Sequence, residues 1–184
     1  MSAADPVIEV REFAGGGDPS HLLPRRTVQN APFFGGLAAG RLTLQRCGAC
    51  GHARYPVAPA CPRCSATEAG WDSLTGAGAV HSWIRYRKCY LPEFEPLMPY
   101  VVVCAQLDDG PRMFGRLAGA DGDPHIGDRV QLVVERLASG EHTIAFIPRS
   151  RPLRPSWGGG TGGPAAAAAR RSPPARPARG PSGR

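Results

Sequence analysis

Two closely spaced pairs of cysteines constrain this chain more than any other feature of its sequence. Each pair has the form Cys-x-x-Cys, and all four residues lie within eighteen positions: Cys47, Cys50, Cys61 and Cys64. Two such pairs are typical of two knuckles that close on one tetrahedral metal ion. Zinc is the usual ion, and iron in a rubredoxin-like site uses the same ligands. The spacing therefore predicts a structural metal site of the zinc-ribbon kind.

Other uses of these cysteines fit the sequence less well. Disulfides need an oxidising compartment, and a redox Cys-x-x-Cys motif belongs in a strand–helix–strand context that the flanking residues do not suggest. Four thiolates complete a tetrahedral shell, so we expect a closed site without a catalytic role. Of the two remaining cysteines, Cys104 lies in an apolar run and is predicted to be buried. Nothing beside Cys89 indicates a nucleophile.

The first residues and the hydropathy of the sequence indicate a cellular compartment. Residues 1–6 have no basic start and no apolar run after it, so we expect no signal peptide. No apolar stretch approaches the roughly 18 residues that a membrane helix needs. With reduced, metal-bound thiolates, this predicts a cytoplasmic protein.

The formal charge of +7 is unevenly distributed along the chain. Eight of the 22 basic residues and none of the 15 acidic ones lie in residues 149–184, which leaves 14 basic and 15 acidic residues, a net of −1, in residues 1–148. The C-terminal segment is rich in Arg, Pro, Gly and Ala, and this composition predicts a disordered tail. The rest of the chain lacks the basic surface expected of a nucleic-acid-binding protein.

Residues 29–70 are predicted to hold a helix followed by the ribbon. Asn30 suits the residue before a helix, and Pro32 suits its first turn. Phe33 and Phe34 follow at once. We expect one of the two rings in the core, because neighbouring side chains on a helix point in different directions. Docking on a partner subunit is the alternative use of this short aromatic helix.

Residues 71–148 are predicted to form a five-stranded OB-fold barrel. Short apolar runs separated by turn residues, with no convincing helix between them, favour this mainly β fold. The runs cover residues 76–84, 100–107, 112–117, 130–135 and 142–147. An alternating run before the first cysteine predicts one more strand, and the irregular residues 1–28 are expected to lie on their own domain or on a partner.

These features occur in an order that resembles a known family. The motifs that carry the resemblance are Pro-Phe-Phe (residues 32–34), Gly-Arg-Leu-x-Leu-Gln-Arg-Cys (40–47), the two cysteine pairs, Gly-x-Gly-x-Val-x-Ser-Trp (76–83) and Ile-Gly-Asp-x-Val (126–130). They are similar to the acyl-CoA-associated OB-fold proteins with a rubredoxin-like zinc ribbon, long catalogued as a domain of unknown function. The resemblance covers about residues 30–148.

The resemblance implies a non-catalytic accessory subunit. Members of this family partner thiolase-like enzymes, lipid-transfer-type steroid aldolases and MaoC-like enoyl-CoA hydratases, in lipid, steroid or aromatic acyl-CoA metabolism. The partner holds the catalytic residues, and the small protein helps to line the acyl-CoA channel. The family's four metal ligands correspond to Cys47, Cys50, Cys61 and Cys64, and no catalytic residue carries over.

Three basic residues beside the longest loop are candidates for contact with the phosphates of coenzyme A: Arg85, Arg87 and Lys88. Arginine suits bidentate phosphate contact, and an ordinary solvated face is the alternative.

Two other function classes stay open from the sequence. An OB barrel with a zinc ribbon and a basic tail also fits a single-stranded nucleic-acid-binding protein, although such proteins use a basic groove. The third class is an enzyme that acts alone on acyl-CoA, for which no recognisable catalytic motif is present in the sequence.

Overall fold

The structure, a computed structural model, describes residues 6–120 and 122–149. Within them the chain forms one α-helix, α1 (Ala31–Ala38), and nine strands. The strands are β1 (Val10–Glu12), β2 (Leu42–Cys47), β3 (Ala53–Arg54), β4 (Ala69–Leu74), β5 (Ala77–Tyr86), β6 (Tyr100–Leu107), β7 (Arg112–Leu117), β8 (Arg129–Arg136) and β9 (His142–Pro148). From residue 150 onward, the segment predicted to be disordered lies outside the described residues.

Strands β5 to β9 close into a barrel. Their hydrogen-bonded order is β5-β6-β7-β9-β8, and β8 pairs back onto β5. All of these pairings are antiparallel except that of β7 with β9, which is parallel. The arrangement is the five-stranded OB barrel, so the predicted fold class is confirmed. Each strand lies within two residues of its predicted bounds.

The barrel core follows the two-residue period of its strands. In β6 the side chains of Val101, Val103 and Ala105 are buried, and in β8 the inward residues are as apolar and as buried, among them Leu132. Successive side chains of a strand point to opposite faces, so β6 also presents a second, outward set that includes Cys104. This cysteine is buried, as predicted.

Strand β5 bends as its glycines predict. A Cβ atom at Gly78 would stand 2.5 Å from the carbonyl oxygen of Gln106, so the neighbouring strand approaches too closely for any other residue. The pairing register then shifts between Val80 and Ser82. A bulge of this kind bends the strand and increases its twist.

The ribbon is a second, three-stranded antiparallel sheet in the order β3-β2-β4. Strand β4 was not predicted, because its residues Ala-Gly-Trp-Asp-Ser-Leu lack β-branched side chains and a clear alternation. It forms through pairing with β2, from Leu42 opposite Leu74 to Cys47 opposite Ala69. The expected boundary between residues 70 and 71 therefore lies inside a strand of the ribbon sheet.

Helix α1 packs on β2 and buries both of its aromatic rings. The exposed fractions are 8% for Phe33 and 5% for Phe34, so the expectation of one core ring was wrong. Phe33 contacts the ring of Tyr55, with centroids 5.8 Å apart, and the Arg26 guanidinium covers Phe34 at 3.7 Å from its centroid. The second ring is buried because residues before the helix fold over it.

Residues 6–28, here called the strap, lie along the ribbon and the barrel of their own chain. Strand β1 pairs in parallel with β8, and Ile8, 2% exposed, enters the hydrophobic core. Farther along, the amide of Phe13 donates to the carbonyl of Arg136 at 2.9 Å, and the Arg26 side chain pairs with Glu141. Of the two placements left open by the sequence, the strap occupies the one on its own domain.

No helix among the described residues has the length and apolar character that a membrane crossing requires.

Replacing Leu132 by Ala tests the barrel core. The side chain is fully buried, so its truncation is expected to lower the free energy of unfolding by about 3 kcal/mol. Ile126→Ala, at a side chain that is 67% exposed, is the control and should change it by less than about 0.5 kcal/mol. Urea denaturation followed by circular dichroism measures both, and equal losses would contradict the described core.

Candidate metal centre

The four predicted ligands converge at one end of the ribbon. Their Sγ atoms all lie within 4.8 Å of one another. Two of the separations are 3.6 Å, between Cys47 and Cys64, and 3.7 Å, between Cys50 and Cys61. Metal–sulfur bonds of about 2.3 Å in a tetrahedron place the sulfurs about 3.8 Å apart. The donor set therefore fits a tetrahedral metal ion, which these four cysteines could bind.

The two knuckles share one backbone design. The amide of Gly51 donates to the carbonyl of Cys47 at 3.0 Å, and the amide of Ser65 donates to that of Cys61 at 2.8 Å. Both donors have left-handed backbone, with φ of 69° and 61°. Gly51 suits this conformation and Ser65 rarely adopts it, so the knuckle geometry overrides local preference at the second pair.

Backbone amides in the knuckles point at the sulfurs. The Cys50 amide contributes most, and with the Arg54 side chain and the Ala49 amide it lowers the pKa of Cys47 to about 6, against the opposing effect of burial. Burial also raises the pKa of Cys61, but the amides of the second knuckle outweigh it and the net shift is downward.

One thiol of the four resists ionisation. The Ala66 amide lowers the pKa of Cys64, but hydrogen bonding with Cys50 and Cys47, together with burial, raises it to about 12. Since thiolates, not thiols, bind metal, a bound cation would favour loss of the Cys64 proton.

Arg54 is a part of this centre that sequence reasoning missed. Its side chain is 1% exposed and donates to the carbonyl oxygens of Ala58, Ala66 and Glu68 at 3.2, 3.0 and 3.0 Å. Hydrogen bonding to Cys47 raises the pKa of Arg54 above the ordinary arginine value. The guanidinium thus joins the first knuckle to the chain after the second and sets a positive charge beside the sulfurs. An arginine between the cysteine pairs would ordinarily be solvated, so no sequence signal marked it.

The three basic candidates for coenzyme A contact differ in their surroundings. The Arg85 guanidinium pairs with Asp123 at 2.5 Å. Arg87 and Lys88 are exposed, and the Lys88 ammonium lies 5.4 Å from the centroid of the Tyr90 ring. Contact with phosphates stays a prediction for all three.

Removing one buried cysteine should abolish metal binding. With Cys47→Ser or Cys61→Ser we expect less than one tenth of the metal bound by the unchanged chain, and a ribbon that unfolds, because structural sites contribute folding free energy directly. Elemental analysis gives the metal per chain, and near-ultraviolet circular dichroism reports the packing around Tyr55.

Cys89→Ser is the matched control, because this cysteine is exposed and its thiol donates to the carbonyl of Leu91 instead. It should keep one metal per chain. If Cys47→Ser also keeps a full metal complement, the four-thiolate assignment is wrong.

Comparisons with known proteins agree with this architecture. A family model described as the rubredoxin-like zinc ribbon domain of ChsH2 matches residues 34–68, and one described as the C-terminal OB-fold domain of ChsH2 matches residues 71–135. In a solved structure titled Ltp2-ChsH2(DUF35) aldolase, one chain is 32% identical to this one, with a TM-score of 0.61 over 98% of that chain and 68% of this one.

Two curated relatives add to this. A probable enoyl-CoA hydratase alpha subunit of Thermomonospora curvata is 38% identical over 109 residues, which are 57% of this chain and 33% of that protein. The chain thus spans about a third of the length of this relative. A DUF35 domain-containing scaffold protein of Methanothermobacter thermautotrophicus is 32% identical over 101 residues, 52% of this chain and 73% of that protein. Two family models, a structural match over 98% of the other chain and this scaffold relative together place the chain in the ChsH2 (DUF35) family, whose members join a rubredoxin-like zinc ribbon to an OB-fold domain.

Proposed function

We propose that the chain is a non-catalytic accessory subunit of an acyl-CoA-processing enzyme. It binds and stabilises a thiolase-like protein, a lipid-transfer-type aldolase or a MaoC-like enoyl-CoA hydratase, and it helps to line the channel for the acyl-CoA. The observation that carries this proposal is the match over 98% of the ChsH2 chain in the aldolase structure. The names of the hydratase and scaffold relatives support it. We propose a cytoplasmic setting, where closely spaced thiols stay reduced.

The metal in this proposal is zinc with a structural role. Four thiolates leave no position open for a substrate or water, as in closed zinc sites. The ion would hold the two knuckles together while Arg54 offsets part of the negative charge. Elemental analysis of the unchanged chain should give one zinc per chain, and one iron per chain would replace zinc in the proposal.

The outward face of α1 is the proposed docking surface. Its aromatic rings serve the chain's own core, and its exposed residues are small: Ala31, Pro32, Gly35, Ala38 and, after the helix, Ala39. At Gly35 an added Cβ would meet nothing within 4 Å. Small residues let another backbone approach closely, so this face suits a tightly packed partner.

Gly35→Glu tests the docking surface without disturbing the fold. The new side chain has open space, and leaving glycine should favour the helix by about 0.5 to 1 kcal/mol. In the proposed complex the same side chain would bury an unpaired charge against the partner. Coexpression of the tagged chain with thiolase-like, aldolase and hydratase proteins from its own genome should yield one stoichiometric complex, and we expect Gly35→Glu to weaken it at least about tenfold.

Ala138→Glu, an exposed residue in the turn between β8 and β9, is the control with the same change of charge. It should leave the affinity unchanged. If no candidate enzyme coelutes with the unchanged chain, the accessory-subunit proposal fails. If a complex forms and both variants bind equally, the docking face is elsewhere.

We also propose that Arg87 and Lys88 contact coenzyme A phosphates at the channel entrance. Both are exposed, whereas Arg85 is held by Asp123. The double change Arg87→Glu and Lys88→Glu should raise KM for acyl-CoA in the assembled complex about tenfold and leave kcat unchanged, because the lost phosphate contacts are equal in the ground state and the transition state. Arg112→Glu, on an exposed residue of β7, is the control, and an equal KM for both variants would remove this assignment.

A further inference from the structure

A cavity of about 540 Å³ lies between the strap and the outward face of the barrel. Its floor includes Val102 of β6 and Phe114 and Arg116 of β7, and strap residues such as Phe13 and Leu22 form part of its wall. OB folds bind their ligands on the face of the second and third strands, which in this barrel are β6 and β7. Strap residues therefore border the surface that this fold uses for ligands.

Aromatic rings make up about a third of the lining. Six of them line the cavity: Phe13, Tyr55, Tyr86, Phe94, Tyr100 and Phe114. Tyr86 and Tyr100 stack with centroids 4.9 Å apart and planes 14° apart, and Phe94 lies 5.2 Å from Tyr100. Flat, polarisable walls favour flat, ring-bearing ligands.

The polar part of the floor is a buried ion pair. The side chains of Arg116 and Glu135 are 12% and 5% exposed, and Nη2 of the arginine donates to Oε1 of the glutamate. The Nε atom of Arg116 is buried and finds no acceptor, so it is not open to the cavity. The guanidinium carries further N–H donors on its two Nη atoms, and the bond to Glu135 uses one of them, which leaves donors for a ligand oxygen.

The same pair sets the charge of the ligand. Among the described residues that line the cavity, Arg116 is the only basic one, and Glu135 neutralises it. An anionic group inside would face the buried carboxylate as well as the guanidinium. A neutral acceptor, such as a carbonyl oxygen, takes the arginine hydrogen bond without that repulsion.

We propose that this cavity binds a neutral small molecule built on flat rings and carrying a carbonyl oxygen that accepts a hydrogen bond from Arg116. The volume lies within the range of small-molecule sites, which usually combine apolar walls with few polar groups. This proposal concerns the chain alone and does not depend on the partner enzyme, so either can fail without the other.

The probe for this test is 6-propionyl-2-dimethylaminonaphthalene, a neutral two-ring ketone whose fluorescence reports an apolar environment. Its analogue with a propyl group in place of the propionyl group keeps the rings and lacks the carbonyl. Titrated against the full, metal-loaded chain, the ketone should bind saturably with one site. Arg116→Met should weaken binding of the ketone at least about tenfold more than binding of the propyl analogue, because a hydrogen bond to a charged donor is lost only for the ketone.

Two further variants locate the site. Arg112→Met, on the same strand but outside the lining, should change neither affinity. Val102→Trp fills the floor while leaving the ion pair in place, and it should weaken both compounds at least about tenfold. Non-saturable binding of the ketone, equal losses of the two compounds in Arg116→Met, or unchanged binding in Val102→Trp would each overturn the proposal.

Arg116→Met leaves Glu135 buried without its partner, and this variant could unfold. Thermal unfolding and metal content check that outcome. In that case Arg116→Lys takes its place, since it keeps a positive charge opposite Glu135 and has no second nitrogen to reach a ligand oxygen. The same difference between the ketone and the propyl analogue is expected, and its absence overturns the proposal.

Discussion

Four sulfur atoms within 4.8 Å of one another repel as they ionise, and the groups around them offset that repulsion. Amides of both knuckles point at Cys47 and Cys61, and a buried arginine lies beside them. The strand β2 ends at Cys47, pairs with β3 and β4, and carries α1 on its face. The two knuckles have few large apolar side chains of their own, so their order depends on how this charge is neutralised.

The parts of the fold that could be predicted are those whose pattern is local. The five barrel strands alternate or run apolar between turn residues, and each was predicted to within two residues. The cysteine spacing likewise predicted the four sulfurs that the structure brings together. Strand β4 and the burial of both helix rings were not predictable in this way, because neither follows from the local pattern. Strand β4 forms against Leu42–Cys47, and Arg26, outside the helix, covers Phe34.

The candidate site residues also divide into those set by local sequence pattern and those set by tertiary packing. Arg54 and Arg116 are buried by tertiary packing. From sequence alone, a charged residue is expected to be exposed. Arg85 was predicted to be part of a basic cluster, but Asp123, far along the chain, holds it. Charge in a sequence says how many ionic groups exist, while the fold decides which of them pair.

The strap has a consequence for how the chain is made. Val10 pairs with Val134, so the strand nearest the N-terminus needs a neighbour that is synthesised more than a hundred residues later. Contacts of such separation form late, because the loop between them must close first. During synthesis the strap, with its exposed Val7 and Val28, waits unpaired until the barrel closes. The strap is therefore synthesised before the barrel and finds its place after it.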